Sequence, residues 1–409
     1  NVNIRTKEFP ASRQINYSTS FGANSRVLGQ TLPFAPRAGG ELLGFANNNR
    51  QIPNAISQAN FLGNVSQGQF NQMAQQQRNV WSPSPRNGGP NGSFGASTGG
   101  NTILGKRIGY VLSGSYGYSE EVRANEQYAV GNQGANNTVV PLTSLSGSTG
   151  RSSAQWGGIA NFSRLIGKSS RLSLNSTMTR SADNEARSDR GFDENLGDSI
   201  ARTTLRYVER GVATVTGAGE HQLGERNKTS WAATYANTGR REPDRSDVVY
   251  ARNNTGQYTL LSSLDGARRL YFDLAETNNT AQVDHTITIG EVANQNTLKV
   301  GAYARSTDRR ADAPIFAFLS RAGDNVRSQQ PNVIFGADQS CNNCSLINVQ
   351  PVGQAGSYTA EDRTVASYLM ADWGLGSRVR VIAGARVESA DITVAASTQG
   401  GFTSSANLN

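Results

Sequence analysis

Apolar and polar positions alternate along this chain with a period of two, in stretches of roughly ten residues. The 3.6-residue period of an amphipathic helix is nearly absent. Residues 378–391 show the alternation most clearly: Val379, Val381, Ala383, Ala385 and Val387 point one way, and Arg380, Ile382, Gly384, Arg386 and Glu388 point the other. Leu172, Leu174, Ser176 and Met178 oppose Ser173, Asn175 and Thr177. Leu298, Val300, Ala302 and Ala304 oppose Lys299, Gly301, Tyr303 and Arg305. Ile108, Tyr110, Leu112, Tyr116 and Tyr118 oppose Ser113, Ser115 and Gly117. Val365, Leu369, Ala371 and Trp373 share a face, as do Trp231, Ala233 and Tyr235. About eleven such segments occur, each of the ~10 residues a tilted strand needs to cross a bilayer.

The spacers alternate in length. Short ones at 166–169, 224–227 and 374–377 read as turns, and long polar ones fill 24–90, 124–150, 180–201, 240–268 and 309–358. Short turns on one rim and long loops on the other are the asymmetry of an outer-membrane barrel. The expectation is therefore all-β: an antiparallel transmembrane β-barrel with short periplasmic turns and long extracellular loops. Tyr118, Trp156, Trp231, Tyr235 and Trp373 fall near segment ends, where an interfacial aromatic girdle would sit. The alternative is a soluble secreted β-sandwich, an adhesin or carbohydrate-binding protein, with aromatics in a dry core. Residues 51–77 are Asn/Gln-rich, consistent with a surface loop or a local helix over 60–77.

Composition agrees. Hydrophobic residues are 36% and charged residues 17%, with 44 glycines in 409 residues, a poor composition for helical or α/β enzymes. No apolar run approaches the ~20 residues of a helical span. The net charge of +8 comes from arginines scattered singly, so solvated or water-lined faces are expected and no nucleic-acid partner. The only cysteines, Cys341 and Cys344, lie in a Gly/Asn/Gln/Pro-rich stretch; a local loop disulfide is expected, and with it an oxidising compartment. The chain begins at Asn1, without Met or a signal peptide, so an upstream portion is expected.

No catalytic motif and no cofactor are expected: His-Glu-x-x-His, Walker A and Gly-x-Ser-x-Gly are all absent. Gly217-Ala218-Gly219 sits in a strand-like run with Gln222 at the third glycine position. His221 and His285 read as isolated, Glu120-Glu121 as solvated rim charges, and Asp189, Asp193 and Glu194 as loop acids lacking EF-type spacing. Arg240, Arg241, Asp244 and Arg245 interleave opposite charges at the expected root of a long loop, a place for local ion pairs or for a ligand or plug.

At the level of these residues the chain resembles the TonB-dependent outer-membrane receptors. Asn1-Val2-Asn3-Ile4-Arg5-Thr6-Lys7 is similar to the end of their plug domain, giving 1–9 as plug and 10–409 as partial barrel. Leu205 to Arg210 with Gly219 to Leu223, Trp231 to Tyr235 with Arg241 to Arg245, Leu298 to Gly301 with Asp308 to Arg310, and Arg378 to Glu388 are similar to successive family strands. The resemblance implies a barrel of about twenty-two strands around a plug. It also implies active uptake of a scarce nutrient such as a siderophore or glycan, driven by the TonB complex through the plug, in the cell outer membrane of a Gram-negative-type bacterium. The plug, the TonB box, about half the strands and the terminal aromatic strand are missing, so a fragment unable to transport alone is expected. Lys299, Arg305, Arg380 and Arg386 are the candidates to face the lumen and the plug.

Overall fold

The computed structural model describes residues 12–102, 107–134, 137–290, 296–341, 344, 346–353, 356–375, 379–397 and 403–408. Asn1 to Lys7, which carry the plug resemblance, lie outside them, as do Arg378 and part of the 374–377 turn.

Twelve strands follow one another as an antiparallel meander. They are β1 (Gln14–Gly22), β4 (Asn91–Gly100), β5 (Gly109–Gln133), β6 (Val139–Ile166), β7 (Ser170–Asp193), β8 (Gly197–Leu223), β9 (Asn227–Arg252), β11 (Ala267–Ile289), β12 (Asn296–Asp312), β15 (Tyr358–Leu375), β16 (Val379–Ser397) and β17 (Thr403–Leu408). The sheet is open among the described residues, with β1 and β17 at its edges. Short strands β10 (Tyr258–Leu260), β13 (Ile315–Ser320) and β14 (Ile347–Gly353) join it near one end, and β2 (Thr31–Phe34) pairs with β3 (Ser84–Asn87) separately.

The register gathers every alternating set onto one face. Direct cross-strand partners in an antiparallel pair share a face. The row Tyr110, Phe162, Leu174, Gly217, Ala233, Ala281, Ala304 and Val365 therefore lies on one side of β5 through β15. Leu112, Met178, Val215, Trp231, Tyr235, Val283, Val300, Leu369, Trp373, Val381 and Val387 stand on the same side and are all exposed. The opposite face is mostly hydroxyl, amide and charge, with exposed aliphatic exceptions that include Ile159, Leu165, Val212, Ile382 and Val394. No second layer covers the apolar band among the described residues, so no dry centre of a sandwich forms there.

The strands outrun the predicted ~10 residues. Only 134–138 and 194–196 separate β5 from β6 and β7 from β8, so the expected loops 124–150, 180–201 and most of 240–268 are strand. Cross-strand ion pairs replace apolar contacts there: Arg151–Glu185 (2.5 Å), Arg202–Asp189 (3.1 Å) and Arg206–Glu242 (3.0 Å). The short turns 167–169 and 224–226 stand as expected, so long and short rims do alternate.

The other two long spacers are packed structure. Residues 23–90 hold β2, β3, α1 (Asn54–Ser57) and α2 (Gln67–Gln76), which starts with a Ser66/Gln69 capping box; 313–357 hold β13, β14, α3 (Asp324–Arg327) and α4 (Pro331–Ile334). Together they form a cap whose core joins Ile56, Met73 and Trp81 from the first insertion to Phe318, Ile334, Phe335, Ile347 and Val349 from the second. Val248, Leu260, Ala267 and Tyr271 supply the floor of that core. Trp81 meets Phe335 at 4.8 Å and Phe318 edge-on at 5.4 Å. Cys341 and Cys344 are disulfide-bonded, and Asn71 of α2 donates to both of their carbonyls, at 2.6 and 2.7 Å.

Candidate functional site

Three surfaces carry chemistry: the bare apolar band, the polar face behind it, and the seam where the cap meets the sheet.

The band is bounded by aromatics. Tyr116 and Trp156 are cross-strand partners on the long-rim side, with ring centroids 4.7 Å apart. Trp231 stands near the short-turn rim, in one row with Gly219, Leu172 and Arg164. Eight residues of β6 separate Trp156 from Arg164, about 26 Å of strand and about 20 Å at a ~40° tilt. An outer-membrane barrel's apolar band is ~25 Å tall.

The polar face is a ladder of side-chain pairs. Thr177 bonds Thr214 (2.6 Å), Thr216 bonds Thr234 (2.9 Å), and Asn278 donates to Thr307 (2.6 Å). Lys299, Arg305, Arg380 and Arg386 all lie on this face, each beside a carboxylate. Lys299 meets Asp284 at 3.4 Å, Arg305 meets Asp362 at 2.5 Å, Arg380 grips Asp372 through two bonds of 2.5 Å, and Arg386 meets Glu388. Tyr368 reaches across β12 to donate to Asp284 (2.5 Å). Gly301 permits this, since a Cβ there would sit 2.3 Å from the Tyr368 ring.

The cap seam contains the groups the sequence misplaced. Arg240, Arg241, Asp244 and Arg245 lie inside β9, not at a loop root. Arg240 pairs with Glu242 (2.8 Å), Arg241 with Asp273 (3.4 Å) and Arg245 with Asp247 (3.1 Å). Asp244 adopts φ 61° and is fully buried; it accepts from Arg269 (2.5 Å), Gln77 (3.1 Å) and Arg78 (3.3 Å). Arg269 also donates to the carbonyls of Arg78 and Val80 (both 2.8 Å) and lies 3.8 Å over the Trp81 ring. Burial lowers the Arg78 pKa, as does neighbouring Arg50, while Asp244 opposes the shift.

Glu120 is not a rim charge: it is 2% exposed and gathers Arg86 (3.1 Å), the Gly89 amide (2.8 Å), Tyr118 and Arg37. Burial pushes its carboxyl up, but the hydrogen bonds from Arg86, Tyr118 and Gly89 prevail and hold it at about 2. Glu121 remains exposed beside Arg123. Asp189 is buried between Arg187 and Arg202, and Asp193 caps Asn195. His221 and His285, distant in sequence, flank Thr229 in one cross-strand row at the short-turn rim. Trp231 donates to His221 (3.1 Å), and His285 bonds Thr229 (2.9 Å). Among the described residues no acidic, His or Cys group is arranged to hold a metal ion.

A strap at Glu41–Phe45 crosses the long-rim edge of the band on the apolar side. Tyr116, Trp156 and Arg180 donate to the successive carbonyls of Leu42 (2.5 Å), Leu43 (2.8 Å) and Gly44 (2.8 Å). Both ends are tied down: buried Glu41 pairs with Arg50 (2.5 Å) and accepts from Asn184 (3.1 Å), while the Ala46 amide donates to Glu209. No helix of the described residues is long and apolar enough to cross a membrane, which says nothing of strands. No protein-family model, curated protein or solved structure matches the chain.

Proposed function

We propose that this chain forms part of the wall of an outer-membrane β-barrel that takes up a scarce nutrient, as a receptor of the TonB-dependent kind. The observation that carries the reading is the single-layer antiparallel meander, apolar and bare on one face and polar on the other. In water such a face is a liability. Against acyl chains it is the solvent-matched surface, and closed strands satisfy every backbone group within the wall. Both edges, β1 and β17, then need partners, either each other or further strands. The alternation of short and long rims supports the same reading.

In this reading the polar face lines a wet lumen. Lys299, Arg305, Arg380 and Arg386 offer ion pairs that are individually weak in water. Made within the wall, such pairs can be exchanged for equally weak contacts with a plug that must be displaced when pulled. The capped long rim faces outward and makes the first contact with the nutrient. The test is assembly: expressed with outer-membrane targeting, the protein should resist extraction by alkaline wash and migrate differently on gels with and without heating. A protein that extracts without detergent and shows no heat-dependent migration would not be a membrane barrel, and the transport reading would fall.

A further inference from the structure

We infer that the strap Glu41–Phe45 is an interfacial membrane anchor, seated in the outer-leaflet headgroup and acyl boundary beside the barrel wall. The inference rests on the membrane reading above and adds the lipid leaflet as the cap's own partner.

Four observations place the strap there. First, it lies on the apolar face. A Cβ on Gly44, whose φ of 76° is left-handed, would meet the Cβ atoms of Ala182 and Ala154 at 3.4 and 3.8 Å, and both belong to that face. Second, its level is the upper edge of the band. Tyr116, Trp156 and Arg180 form one cross-strand row, with Met178 two residues below Arg180 on the same face. Third, its apolar side chains are only half covered: Leu42, Leu43 and Phe45 are 49%, 51% and 47% exposed, at the level where the exposed band ends. Fourth, the carbonyls of Leu42, Leu43 and Gly44 each accept a bond from the sheet.

The last point separates an anchor from a loop that merely exposes three apolar groups. A strap in water needs no donors for its carbonyls, but one at a lipid boundary does. Tyr and Trp are the residues of that boundary. The Arg180 guanidinium stacks 4.3 Å over the Phe45 ring and pairs with Glu209 at 2.8 Å, so its charge is neutralised at the same level. Bonds at both ends, from Glu41 to Arg50 and Asn184 and from the Ala46 amide to Glu209, make the anchor part of the fold.

The test uses single substitutions Leu43→Cys and Phe45→Cys in the full chain, labelled with an environment-sensitive fluorophore and reconstituted into phosphatidylcholine vesicles containing brominated lipid. Val300→Cys reports the band, and Leu62→Cys, fully exposed on the cap between α1 and α2, reports water. Labels at 43 and 45 should be quenched at least about two-fold more than the label at 62, and most strongly by bromine near the headgroups. If Val300→Cys is quenched while 43 and 45 behave like 62, the anchor is wrong and the membrane reading stands. If Val300→Cys is also unquenched in protein that retains its strand content by circular dichroism, both readings fall together.

Discussion

Trp156 and Arg180 face each other across β6 and β7 and donate to consecutive carbonyls of the strap, those of Leu43 and Gly44. Removing the indole donor while keeping an aromatic ring isolates that bond. Trp156→Phe should loosen the strap by about 1 kcal/mol. Limited proteolysis should cut within 41–46 faster than in the parent, with the sheet unaffected.

Asp244 and Arg269 are the buried pair that fixes the cap to the sheet. Asp244→Asn tolerates the left-handed backbone, so it removes charge without adding strain. Arg269 is then left buried against a neutral amide, and a loss of about 3 kcal/mol is expected. Arg269→Met should cost a similar amount, and the double variant less than the two losses added. Denaturant melts of the four proteins, read on Trp81 fluorescence, check this; strictly additive losses would mean that the pair is not coupled.

Val215 and Thr216 are neighbours in β8 that point to opposite faces. Val215 stands midway between the row of Trp156 and the row of Trp231. Val215→Arg should cost about 2–4 kcal/mol of membrane folding if that face meets lipid at mid-depth. Thr216→Arg should change it by no more than ~0.5 kcal/mol, since it extends into water on the polar face. The heat-dependent gel shift gives the folded fraction of each. Equal losses would mean that the faces are assigned wrongly.

Glu120 makes the cap acid-sensitive. The band's upper edge is the row of Tyr116 and Trp156, so Glu120, four positions further along β5, lies above it. Its folded pKa, about 2, is below the ordinary glutamate value, so its contribution is present above pH ~4.5. That contribution is lost as pH falls towards 2. Proteolysis of 23–90 at graded pH should show the cap loosening across this window. Glu120→Gln should start weaker at neutral pH and lose less over the same range.

The faces of the sheet were legible because a period of two survives any register that keeps partners opposite. Val379 through Val387 and Leu298 through Ala304 needed no contact information to be sorted. The strand ends were not legible, because the extensions beyond the band carry no apolar row. Arg151, Arg202 and Arg206 find their acids on a neighbouring strand, and such pairing is invisible along one strand. Asp244 was read as part of a loop root for the same reason: its partners Gln77, Arg78 and Arg269 come from elsewhere in the chain. The cap core was equally hidden. Ser66 and Gln69 signal a helix start, but nothing local says that Met73 will meet Ile347.

That core also imposes an order of events on biogenesis. Gln67 of α2 bonds the carbonyl of Ile347, 280 positions further along the chain. Most of the meander must therefore emerge before the first insertion can complete its core, and contacts so distant close slowly. Until they do, Trp81 and Met73 lack the shelter of Phe318 and Phe335. Until the second insertion arrives, the apolar side chains of 23–90 that end in this shared core stay open to water and to other chains.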